Sequence, residues 1–71
     1  MANQFMQGDK VAAFYFPDDS EVVVGEYDVD RITVVMECGQ MGAVPWFAVW
    51  KDGKITSKHN AAHIASVRNG G

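Results

Sequence analysis

The apolar positions of this chain fall in short bursts, each closed by turn residues, and no stretch sustains a helical period. Residues 10–16 are a dense apolar run ending in Phe14, Tyr15 and Phe16, which predicts a strand covered on both faces. Pro17, Asp18, Asp19 and Ser20 follow with turn chemistry at every position. Residues 21–27 resume with Val22, Val23 and Val24, a β-branched trio that is stiff in a helix and at home in a pleat. Gly25 predicts a bend or bulge there, and residues 28–30 read as the next turn. Residues 31–38 alternate, with Ile32, Val34 and Met36 on one side and Thr33, Val35 and Glu37 on the other.

Residues 39–42 read as a loop, and Pro45 is tolerated near the opening of the strand that follows. That strand carries Trp46, Ala48 and Trp50 on one face. Asp52-Gly53, between Lys51 and Lys54, is a two-residue hairpin signal, because Asp-Gly accepts the positive φ values of a type I′ turn. Residues 55–58 return, a helical turn is expected over residues 60–63, and an apolar strand closes on Val67. The expected fold is all-β: a single domain forming a small, strongly bent antiparallel barrel of five to six strands, SH3-like or Sm-like. One short helical turn should precede the last strand. A five-stranded OB-type barrel is the alternative. Only residues 1–7 and 69–71 look loose.

Size and composition narrow the picture. A chain of 71 residues buries only about 60% of its unfolded surface, near the lower limit for folding alone. Its apolar share of 48% argues against disorder. Cys38, the single cysteine, cannot form an internal disulfide and fits a reducing compartment. No basic-then-apolar leader opens the chain, and the longest apolar run is too short to cross a bilayer. A cytoplasmic protein without a membrane association is expected, with self-association as the route to stability.

Charge is divided along the chain. Residues 1–37 hold eight of the nine acids with Lys10 and Arg31 as bases, and residues 38–71 hold four bases and Asp52 alone. Opposite signs on one small body favour packing between copies, or simply solvate opposite sides of a monomer.

Two places resemble the Sm-like family, in its Hfq-like branch. Tyr27-Asp28 followed by Ile32, Val34 and Met36 is similar to the aromatic–aspartate turn and apolar strand of the first Sm motif. Lys58-His59, then a short turn and Ile64-Ala65-Ser66-Val67, is similar to the lysine–histidine step and closing strand of the second. The outline covers residues 10–68. The resemblance implies a homo-oligomeric ring contacting RNA or nucleotide, of a compact kind that suits a phage genome. The chain departs from that family in several places. It lacks the long N-terminal helix, Gly25 sits closer to the aspartate, and the segment 39–54 is longer. Asp30 stands where a base-stacking aromatic is expected, and Ser57 replaces the tyrosine before the lysine–histidine pair. A carboxylate at that place repels phosphate and offers no stacking face, so the RNA site would be altered while the ring-forming frame is kept.

The candidate site residues follow. Lys58 and His59, extended by Lys54 and Arg68, are expected to contact anions or nucleotides; a solvated strand end is the plainer reading. Trp46 and Trp50 read first as core and otherwise as an aromatic platform at a subunit or ligand contact, with Tyr27 and Asp28 beside them at the interface. Tyr15 and Tyr27 read as packing residues with wet hydroxyls. Cys38 reads as a small buried thiol. The spacing of His59 and His63 suits a metal only on a helix, so neither a metal nor a cofactor is expected. The chain carries no clustered acid, base and nucleophile, so an enzyme is not expected. The alternative to nucleic-acid binding is an acidic-faced adaptor or inhibitor, in which residues 18–30, with six of the nine acids, meet a basic partner protein such as a nucleic-acid enzyme.

Overall fold

The computed structural model describes residues 5–40 and 42–70. It is all-β, a curled antiparallel half-barrel: β1 (Lys10–Tyr15), β2 (Glu21–Val23), β3 (Arg31–Gly39), β4 (Gly42–Lys51), β5 (Lys54–Asn60) and β6 (Ser66–Asn69), with a single 3-10 turn at Ala61–His63 before the last strand. Strands run in the order β2-β1-β3-β4-β5, and β6 pairs with β1.

β1 is the hub. Its first residues pair with β3, Lys10 opposite Thr33 and Val11 opposite Ile32, and its last three pair with β2. Its other edge takes β6, from Val11 opposite Asn69 to Tyr15 opposite Ser66. A register shift between Val11 and Ala13 lets β1 turn from one half of the sheet into the other. A second bulge lies in β5, where Thr56 is the extra residue between the pairs Trp50–Ile55 and Val49–Ser57. The Thr56 hydroxyl donates to the Val49 carbonyl at 3.3 Å.

The turns follow their chemistry. Asp52 and Gly53, at φ 53° and 74°, make the expected type I′ hairpin. Asn60 caps the 3-10 turn by accepting from the Ala62 amide at 2.8 Å. Asp18 accepts from both the amide and the hydroxyl of Ser20. These bonds favour the ionised carboxylate and hold its pKa below the usual value.

β2 is shorter than its β-branched run predicts. Gly25, at φ 94°, closes a turn in which the Glu26 amide donates to the Val23 carbonyl. A second turn follows at once. Tyr27 and Asp28 lie at φ 52° and 65°, and the Val29 amide donates to Glu26. Residues 24–30 are therefore a compact loop, and Val29 folds back into the core at 6% exposure.

The core sits on the concave face. Phe14 and Phe47 stack at 5.3 Å with Ile32 and Val34, all fully buried, and Val11, Val29 and Val49 complete the cluster. Burying each large apolar side chain contributes about 1.5–3 kcal/mol. The N-terminal segment is less loose than its composition implies. Phe5 meets Phe47 edge-on at 5.2 Å, the Gly8 amide donates to Val34, and the Met36 amide donates to the Gln7 side chain. At the other end Asn69 belongs to β6, and the Gly70 amide donates to Lys10. Residues 1–4 and 71 of the expected loose ends lie outside the described residues, as does Met41. Among the described residues no helix is long and apolar enough to cross a membrane.

Candidate functional site

Residues paired across a ladder share a face, so the register sorts the side chains. Ile32, Val34, Phe47, Val49, Ser57 and His59 line the concave side. Arg31 and Thr33 on β3, Trp46, Ala48 and Trp50 on β4, and Lys58 on β5 lie on the convex side. The tryptophans are thus not core. Both are half-buried on the outer face, because alternation puts Phe47 and Val49 inward and leaves their neighbours outside. The side chains around Ala48 cover it completely, although it belongs to this outer face.

Trp50 is held from two directions. Its indole Nε1 donates to Thr33 Oγ1 at 2.9 Å, and the Arg31 guanidinium lies 4.0 Å from its ring centroid. Arg31 is the direct cross-strand partner of Trp50, so the stack is built into the ladder. Lys58 reaches from β5 across β4 to Glu37 at the far end of β3, with Nζ and Oε2 2.5 Å apart.

The expected Lys58–His59 pair is split. Neighbours in a strand point to opposite faces, and here one meets Glu37 while the other turns inward. The His59 ring lies 5.3 Å from Phe14 and 5.5 Å from Phe16, and Nε2 is 3.2 Å from Ser57 Oγ. Burial there lowers its pKa from 6.5, favouring the neutral ring. The pair therefore forms no joint anion site. Lys54 stands at the β4–β5 hairpin opposite Lys51 and does not extend a patch with Lys58.

Arg68 is placed differently. With Lys10 of β1 and Arg31 of β3 it rims a cleft of about 450 Å³, whose walls include Val11, Ala12 and Val24. Among the described residues none of these three cations is in an ion pair, the one such pair being Lys58–Glu37. Asp30 also lines the cleft, but its Oδ2 accepts from the Gly53 amide at 3.2 Å. This gathering of residues 10, 31 and 68 was not legible in the sequence, because it needs the β1 hub to bring β3 and β6 to its two edges.

Tyr27 is 87% exposed at the loop tip and does not serve as a packing residue. Asp28 is exposed beside it. Tyr27 lines a smaller cleft of about 150 Å³ with Glu21, Val22, Glu26, Val49, Lys51 and Ser57, and neither tryptophan is part of it. Cys38 is exposed near the end of β3, not buried. No group of three or more metal-ligating side chains occurs among the described residues. No protein-family model matches this chain, and no curated protein or solved structure matches it.

Proposed function

We propose that the protein is a non-enzymatic binding module that receives single-stranded nucleic acid on the convex face of its sheet. The observation that carries this reading is the Arg31–Trp50 stack, set in a row of cations from Arg68 and Lys10 to Arg31. Single strands are held by that combination, cations following the backbone and planar groups stacking on bases. The contact surface differs from the one the lysine–histidine step implies: Arg68 remains in it, and Lys58 and His59 drop out. Self-association belongs to the same reading. Among the described residues no strand pairs with the outer edge of β5, so copies joined there would multiply the face.

Trp46 and Trp50 are the only tryptophans, so intrinsic fluorescence reports on this face directly. Oligouridylate or oligothymidylate 12-mers should quench it. Three neutralised phosphates give a log–log salt slope of about −2 for a single strand. Absence of binding at low salt would remove the reading.

A second reading, an acidic-faced adaptor for a basic protein, is favoured by Tyr27. An aromatic exposed at a loop tip among Glu26, Asp28 and Asp30 has the character of an interface anchor. Charge reversal at Asp18, Asp19 and Glu21 should slow association with such a partner, and an unchanged on-rate would count against it.

A further inference from the structure

The cleft between β1, β3 and β6 has a composition the stacking face alone does not explain. Its rim is cationic, with Lys10, Arg31 and Arg68 converging from three strands, while Ala12 and Val24 give it an accessible apolar floor above the buried Val11 and Ile32. We infer that this cleft is a nucleotide subsite, with one phosphate held among the three cations and its sugar and base laid on the floor. The inference rests on the reading above and names the part of the ligand this place would take.

Charge and size point the same way. Three cations face one carboxylate, Asp30, and that carboxylate is turned toward the Gly53 amide of the β4–β5 hairpin. The remaining positive charge matches a phosphate, and two of the three groups are guanidinium forks suited to its oxygens. A volume of about 450 Å³ lies within the range of small-ligand sites. A phosphate alone would leave the exposed Val24 and half-exposed Ala12 wet, so this part of the floor calls for the rest of the nucleotide. Ala12 belongs to the β1 register shift, and its small side chain keeps that floor open. Arg31 belongs to both places: it rims the cleft and covers Trp50, so a strand leaving the subsite passes onto the stacking face.

The test combines two probes with three variants. Uridine 5′-monophosphate added to the labelled protein should shift the amide resonances of Lys10, Ala12, Val24 and Arg68. Inorganic phosphate at the same concentration should shift them far less. Equal shifts from both probes would reduce the cleft to a plain anion site and overturn the nucleotide assignment. Lys10→Ala and Arg68→Ala should each weaken 12-mer binding several-fold and lower the salt slope by about 0.7. Both positions are exposed, so unchanged circular dichroism is expected and serves as the folding control. If both variants bind like the parent protein while Trp50→Ala does not, the subsite is wrong and the convex-face reading stands. If the parent protein binds no 12-mer at all, the underlying reading fails first.

Discussion

The guanidinium of Arg31 covers the ring of Trp50 across the β3–β4 ladder, and Thr33 anchors the same indole through its Nε1. Trp50 is thereby fixed at its edge and covered on one face. Trp50→Phe keeps an aromatic ring but loses part of the indole surface and the Nε1 hydrogen bond, the bond itself contributing about 0.5–1.5 kcal/mol. Arg31→Ala removes the covering charge and should cost about 0.5–1 kcal/mol. Urea denaturation followed by circular dichroism checks both, and a loss above about 3 kcal/mol for either would place Trp50 in the core instead.

Core truncation should be far more costly. Phe47 is fully buried, stacks on Phe14 and receives the edge of Phe5. Phe47→Ala should remove about 3–5 kcal/mol. In a domain of this size that is most or all of the net stability, so the variant should lack a cooperative thermal transition. A cooperative melt close to that of the parent protein would contradict the packing.

Tyr27 gives the opposite sign. It holds a left-handed backbone at φ 52° while its ring stays in solvent. Tyr27→Gly should relieve about 1 kcal/mol of strain with little packing to lose. The melting temperature should hold or rise, and a fall of several degrees would show that the ring has a partner in the folded protein.

Lys58→Met should matter little. The pair with Glu37 is solvent-exposed at both ends, 44% and 40% by side chain. Such pairs contribute about 0–1 kcal/mol and weaken with salt. A denaturation midpoint that shifts strongly between low and high salt in the parent protein but not in the variant would refute this.

Acid should destabilise the fold through His59. Its folded pKa lies below the ordinary value of 6.5, because burial beside Phe14 and Phe16 opposes the charged ring. Below that value the unfolded chain takes up a proton that the folded chain resists. The contribution of His59 is therefore complete above pH 6.5 and is lost as pH falls through the folded pKa. His59→Phe should flatten the stability profile in that window, and an unchanged profile would exclude His59 as its source.

Much of the fold could be read where local chemistry and tertiary need agree. Asp52-Gly53 forms its hairpin because both positions accept positive φ, and Ile32, Val34 and Met36 take the inner face that their alternation assigns. Two of the misreadings share one cause: hydrophobic character does not state which side of a sheet is covered. Trp46 and Trp50 look like core until Phe47 and Val49 claim the inside. Cys38 looks buried but falls at the exposed end of a long ribbon. Val22, Val23 and Val24 promise a longer strand, which the positive φ of Gly25 cuts short. Lys58 and His59 look like partners because they are adjacent, whereas adjacency in a strand separates them. The cation cluster was hidden for the reverse reason, since Lys10, Arg31 and Arg68 are distant in sequence and meet only through β1.

Because β1 holds β6 along one edge, with Val11 opposite Asn69, the earliest strand of this sheet waits for its latest. A ribosome-bound chain lacking residues 66–69 cannot seat that edge, so this sheet stays incomplete until that segment emerges from the exit tunnel.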